Sequence, residues 1–201
     1  MMKKFLLLLL ALLLCLSVTA CAKEDPNAPE DMFSTTVAGE PFRLYVPNGW
    51  TDNTTSGISS AYYSPAETSL VSARYYTPAD QDMPLDAYMD FCAERYAESL
   101  TGFEITSRDA ALLGGENAIK LSYKFKDGDK TITCFQITAK FGGDMVSLNV
   151  YCAETLYETL SSEFDLIAKS FMLCEKTDPN GQVVIKQSSK QCFHDLSPLC
   201  M

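Results

Sequence analysis

The sequence is short of histidine, tryptophan and positive charge. Of 201 residues, one is His, one is Trp, and 16 Lys plus Arg face 26 Asp plus Glu. The resulting net charge of −10 argues against nucleic acid, and against anionic membrane surfaces, as electrostatic partners. No CxxC occurs, which removes support for a redox motif or a zinc knuckle. GxSxG, HExxH, P-loop and dinucleotide-binding glycine patterns are all missing. No fixed-period repeat is visible. No apolar run approaches the about 20 residues needed to span a bilayer. What remains is a chain of one-domain length, and its 47% hydrophobic residues exclude disorder for the bulk of it.

The longest apolar run is Phe5 to Leu16, 12 residues preceded by Lys3 and Lys4. That length suits the core of a signal peptide. Val18-Thr19-Ala20-Cys21 follows and resembles the lipobox of bacterial lipoproteins. The resemblance implies cleavage after residue 20 and a lipid on Cys21; the alternative is an ordinary secretory signal with Cys21 a stray thiol. Residues 1–20 are thus expected to be a signal, and 21–30 a lipidated Cys with a polar, Pro-containing tether. Residues 31–175 form the domain, and 176–201 a loose tail or hairpin. Removing Lys3 and Lys4 leaves 14 basic against 26 acidic side chains, a mature charge of −12. The expected location is the extracytoplasmic side of a bacterial envelope membrane, held there by acyl chains.

Six cysteines remain after this correction: Cys92, Cys134, Cys152, Cys174, Cys192 and Cys200. Cys92 falls on a helical stripe with Leu85, Met89, Tyr96 and Leu100, the pattern of a core residue. Strand alternation places Cys134 and Cys152 on opposite faces. A Cys192–Cys200 bridge remains open.

Within the domain the periodicity changes twice. Strands are expected over 33–37, 42–46, 58–63 and 70–76, with a polar loop at 51–57. Apolar residues at helical spacing then run from Pro84 to Leu100. Two short strands, 103–108 and 110–113, lead into a meander of 117–125, 130–141 and 144–152. Gly142-Gly143 as a two-residue turn sets Phe135, Ile137 and Ala139 against Val150, Leu148 and Val146. A three-residue loop at Lys126-Asp127-Gly128 would set Ile119 against Phe135 and keep one apolar face continuous across the meander. A second helix is expected from Glu154 to Phe171. The order predicts an α+β domain with a mainly antiparallel sheet.

Phe42 to Trp50 alternates and ends Pro47-Asn48-Gly49-Trp50. With Gly114-Gly115-x-x-Ala118, Tyr123 and the closing Ile167-Ala168-Lys169-Ser170-Phe171, it resembles the PsbP-like fold family. That fold is shared by photosystem II PsbP, a Ran-binding nuclear import factor and many bacterial lipoproteins. The resemblance implies an α/β/α sandwich and action by protein binding, not catalysis. No interaction residue carries over.

The candidate binding surface is Trp50 with Tyr62, Tyr63, Tyr75 and Tyr76. Two Tyr-Tyr pairs in neighbouring strands put one ring of each on either face. The first expectation is a non-catalytic domain that binds or scaffolds a protein partner. A small-molecule or glycan module using an aromatic face is the second. An enzyme built on carboxylates or on Cys192 and His194 is the weakest. No cofactor or metal is expected. Mass spectrometry of membrane-extracted protein is expected to find an acylated N-terminal Cys21, and Cys21→Ser to release the protein from the membrane. Unchanged localisation of that variant would refute the anchor.

Overall fold

The structure is a computed structural model, and it describes residues 25–37, 39–64 and 69–174. The signal segment, Cys21, Cys192, His194 and Cys200 lie outside the described residues. Thirteen elements follow in order. β1 (Met32–Ser34), β2 (Phe42–Arg43), β3 (Tyr45–Pro47) and β4 (Trp50–Asp52) open the domain. β5 (Ser59–Tyr63) and β6 (Leu70–Tyr76) precede α1 (Leu85–Ser99). β7 (Glu104–Leu113), β8 (Glu116–Asp127), β9 (Lys130–Phe141) and β10 (Asp144–Ala153) form the meander. α2 (Glu154–Ser170) and β11 (Met172–Leu173) close it.

Seven strands form one sheet in the order β4-β5-β6-β10-β9-β8-β7. Every pairing in it is antiparallel. The α+β expectation holds, with a helix on each face. On the α2 side, Leu160, Phe164 and Ile167 of the helix meet Phe135, Ile137, Leu148 and Val150 of the sheet in one buried cluster. On the α1 side, Tyr88, Met89 and Cys92 meet Leu121, Tyr123, Cys134 and Met145. Cys92, Cys134, Cys152 and Cys174 are buried free thiols. The expectation that 103–108 and 110–113 are separate strands gives way to one strand, β7, with an irregularity between Ile105 and Ser107.

The β9–β10 register agrees with the sequence: Phe135 opposes Val150, Ile137 opposes Leu148, Ala139 opposes Val146. The β8–β9 register does not. Asp127 pairs with Lys130, so the turn is Gly128-Asp129, and Ile119 opposes Thr138 instead of Phe135. The shift is odd, and an odd shift moves every side chain to the other face. Ile119, Leu121 and Tyr123 therefore pack under α1, while Phe135 packs under α2. Both faces are covered, so an apolar set on either one finds a core, and alternation alone does not choose between them. The polar loop expected at 51–57 also begins as a strand, since β4 pairs with β5.

The N-terminal segment is stitched to the domain earlier than expected. Tyr45 Oη donates to Asp25 Oδ2 at 3.1 Å, and Ala28 packs against the α2-side cluster. At the other end, β11 pairs with β2, and Cys174 N donates to Pro41 O. Gly114 sits under that closure at φ 58°. A Cβ there would lie 2.7 Å from Leu173 Cγ and 2.9 Å from its backbone nitrogen.

Two predictions follow from this packing. Gly114→Ala is expected to cost at least about 2 kcal/mol in urea unfolding, because left-handed backbone costs an L-residue roughly 1–2 kcal/mol before any clash. Gly128→Ala, at φ 59° with open space around it, isolates the backbone part and should cost less. Equal losses would refute the close-approach explanation. Burial pushes the Cys134 thiol up from 9.0 to about 12. The folded state thus holds the neutral thiol where the unfolded chain ionises it. Its contribution is complete below pH 9 and is lost as pH rises towards 12. Stability measured from pH 8 to 11 should fall, and Cys134→Val should soften the fall; an identical profile in that variant would contradict this assignment.

Candidate binding surface on the sheet

The five aromatic residues singled out in the sequence do not share a surface. Trp50 is 4% exposed, and its Nε1 donates to Glu163 Oε2 at 2.6 Å. Its ring packs against Tyr63, which it opposes in register, and against Phe164 of α2. Trp50 and Tyr63 are thereby absorbed into the α2-side packing. Tyr75 opposes Val146 and so shares that face, at its exposed margin. Tyr62 and Tyr76 lie on the α1 side. Tyr62 is half-buried and opposes Leu70. Tyr76 is 48% exposed and stacks on Tyr88 of α1 with centroids 5.8 Å apart. Cys21 lies outside the described residues.

The α1 side holds more than these two rings. α1 lies across β8 and β9 and reaches β6 at the Tyr76–Tyr88 stack. Between Tyr62 and Tyr76, β6 presents Leu70, Ser72 and Arg74 on this face. Beside them β10 presents Tyr151, Asn149 and Ser147, opposite Leu70, Ser72 and Arg74 respectively. Ser60 of β5 flanks Ser72. This side of β5, β6 and β10 thus carries a polar lattice with an aromatic ring at either end, in which Arg74 is exposed while Ser60, Ser147 and Asn149 are buried.

Where α1 does cross, Gln136 gathers a paired polar network, while Tyr123 Oη beside it has no hydrogen-bond partner. Tyr96 Oη donates to Gln136 Oε1 at 2.7 Å, and Gln136 Nε2 donates to Thr138 Oγ1 at 2.9 Å. The Thr138 and Ser147 hydroxyls are 2.9 Å apart. Asn149, the next residue on this face of β10, is 3% exposed, and its Oδ1 has no hydrogen-bond partner. A buried amide oxygen left unpaired costs about 1–3 kcal/mol. Arg74 is exposed, and the ion pairs among the described residues involve other cations: Arg95, Arg108 and Lys124.

Burial pushes the phenols of Tyr88, Tyr96 and Tyr151 upward, and the positive charge of Arg74 opposes the rise at each. The guanidinium therefore acts on this side of the sheet. Cys92 behaves likewise: burial raises it, and Gln136, Tyr88 and Arg74 oppose. The phenols and the thiol stay protonated at neutral pH. The surface offers hydrogen bonds and the positive charge of Arg74, with its thiol held in the unreactive form. Among the described residues, no group of three or more His, Cys, Asp or Glu is placed to hold a metal ion.

Alternation found the two faces of the Tyr-Tyr pairs but not Arg74 or Asn149. The available signal was polar residues at every second position, Ser72 and Arg74 on β6, Ser147 and Asn149 on β10, inside strands otherwise rich in apolar residues.

Comparison with known proteins fits this architecture. No sequence among the curated proteins matches. Among solved structures, the chain resembles the cyanobacterial PsbP (CyanoP) of Synechocystis sp. PCC 6803, with TM-score 0.55 and 16% identity over 78% of this chain and 98% of that one. It also resembles PA94 of Pseudomonas aeruginosa, a protein of unknown function (TM-score 0.49, 15% identity, 67% and 92% covered). A third is LpqN of Mycobacterium tuberculosis, involved in cell envelope biogenesis (TM-score 0.44, 18% identity, 73% and 80% covered). The CyanoP likeness establishes a PsbP-like fold, as the Pro-x-Gly-Trp strand and the closing helix led one to expect. The DcrB family profile matches residues 43–170, from β2 to the last residue of α2. That span contains the whole seven-stranded sheet and both helices, and the chain belongs to the DcrB family.

Proposed function

We propose that this protein is a non-catalytic, protein-binding domain held at the extracytoplasmic face of a bacterial envelope membrane by a lipid on Cys21. The observation that carries the binding part is the unequal covering of the sheet. The α2 side is closed by apolar packing, whereas the α1 side leaves Arg74 and Tyr76 exposed beside half-buried Tyr62 and Tyr151. Arginine and tyrosine are side chains enriched where proteins meet.

The anchor reading gains a dimension from Asp25. A lipidated Cys21 would be separated from it by Ala22, Lys23 and Glu24, a reach of at most about 14 Å. Because Tyr45 binds Asp25, the domain would ride close to the bilayer and not at the end of a long leash. A mature charge of −12 disfavours direct contact with anionic headgroups, so attachment would rest on the acyl chains. Among the described residues no helix is long and apolar enough to cross a membrane.

A photo-crosslinking residue at position 76, expressed in native cells, tests the reading. It should give a discrete protein adduct that the same residue at position 129, in the β8–β9 turn, does not give. Cys21→Ser should reduce the adduct at least several-fold at equal protein level. No adduct, or the same pattern from both positions, would overturn it.

A further inference from the structure

The seven-stranded sheet ends in two edges of unequal length: β4 has three residues and β7 has ten. An edge strand presents unpaired backbone N–H and C=O groups, and folds commonly guard it with charge, proline or a bulge. In β7 the irregularity between Ile105 and Ser107 leaves 107–113 as an unbroken stretch against β8. Its only charged residues are Arg108 and Asp109. Arg108 is drawn off the edge onto α1, where its Nη2 meets Asp86 Oδ1 at 3.0 Å and its Nη1 meets Asp90. Asp109 opposes Lys120 inside the sheet. Ala110 and Leu112 stay exposed, Leu112 by 58%.

The hairpin turn decides which backbone groups are free. Gly114 and Gly115, at φ 58° and 87°, join Leu113 to Glu116. Such a two-residue turn is closed by a hydrogen-bonded pair, and bonded and open pairs then alternate along the ladder. Leu113, Ala111 and Asp109 thus bond to β8, while Leu112, Ala110 and Arg108 turn their N–H and C=O outward.

We propose that β7 pairs antiparallel with β7 of a second copy of this chain, about a two-fold axis through Ala110. That axis is perpendicular to the sheet and keeps like faces together, so each residue opposes one of its own face. Centred on Ala110, the pairing uses all of 107–113. Arg108 lies opposite Leu112 of the second copy, Asp109 opposite its Ala111, and Ala110 opposite its own equivalent. Each charged position meets a neutral one, a methyl group stands at the axis, and the Arg108 stem covers the exposed Leu112. Centring on 109 or 108 would set Asp against Asp or Arg against Arg, which a ladder penalises.

The symmetry also suits the anchor. Tyr45 holds Asp25, and Ala28 packs on the α2-side cluster, so the start of the domain attaches on the α2 side. The axis leaves that side of both copies facing one way. On the anchor reading both lipids reach one bilayer, and both α1 sides, with Arg74 and Tyr76, face away from it. A single strand pair is a small contact between two chains of mature charge −12. It gains from the raised local concentration of copies confined to one membrane.

Two differently tagged copies of the full chain, expressed together in native cells with a photo-crosslinking residue at position 112, test this. Illumination should give a product carrying both tags, with the cross-link at or next to Arg108 of the other copy. Ala110→Lys brings two ammonium groups together at the axis and should reduce the product at least about tenfold, with thermal unfolding unchanged. Ala110→Pro deletes an outward N–H and spares the β8 ladder, so it should do the same and serves if the first variant fails to fold. No product with both tags, cross-links that map away from β7, or a yield indifferent to these substitutions would overturn the pairing. An adduct to a different protein alone would overturn it too. The position-76 adduct reports separately on the binding reading: either product can be lost while the other persists.

Discussion

The domain depends on one constraint: β9 and β10 must be buried on both faces at once. Residues 144–150 of β10 are buried without interruption. In a sheet with one wet face, every second position would be polar and solvated. Here the α2-facing set, Val146, Leu148 and Val150, is apolar and needs only a matching helix. The α1-facing set includes Ser147 and Asn149, so its burial requires hydrogen-bond partners. Gln136 meets that requirement where α1 crosses, binding Tyr96, Thr138 and Ser147 at one locus. The helix is thus fixed to the sheet by a polar contact as well as by Tyr88, Met89 and Cys92. Geometry in a hydrogen-bonded network is more restrictive than apolar packing, so α1 has a defined position and a defined limit to what it covers.

That limit gives the molecule its asymmetry. The α2 side behaves as a conventional core, with Phe164 meeting Trp50, Phe135 and Tyr157 in ring contacts. The segments at either end of the domain close on it: β1 pairs with β3, β11 with β2, and Leu173 lies against Gly114. On the α1 side the helix reaches β6 only at the Tyr76–Tyr88 stack, and Arg74 stays exposed. Ser147 and Asn149 of β10 are nevertheless buried, and the Ser147 hydroxyl is satisfied from β9 by Thr138 and Gln136.

The sequence made the strands and helices legible because their signals are local. Gly142-Gly143 fixed the β9–β10 register to the residue, and the change from twofold to helical spacing located α1 and α2 within a residue or two. The β8–β9 register was misread because a three-residue loop and a two-residue turn both fit Asp127-Gly128-Asp129, and the core on either face rewarded either choice. β4 was missed because Thr51-Asp52-Asn53 has little strand character, and its pairing comes from β5. The aromatic cluster was legible as two faces but not as two fates. Whether a Tyr joins a core or a rim is set by where a helix lies, and α1 is placed by Gln136, a residue whose role alternation does not reveal. Arg74 reads in isolation as an ordinary surface cation, and Asn149 as a polar residue facing water.

A buried acceptor without a donor is a small fault that folding alone would remove. Replacing Asn149 with an apolar residue of similar volume would fill the same space without the desolvation cost of about 1–3 kcal/mol. Stability is a narrow margin, commonly 5–15 kcal/mol, so a loss of this size is a sizeable fraction of the whole. The three polar neighbours Gln136, Thr138 and Ser147 show that this fold can satisfy buried polar groups where it packs them. Asn149 is not alone: the Tyr123 phenol, 1% exposed beneath α1, also has no hydrogen-bond partner, so the shortfall belongs to this buried face as a whole.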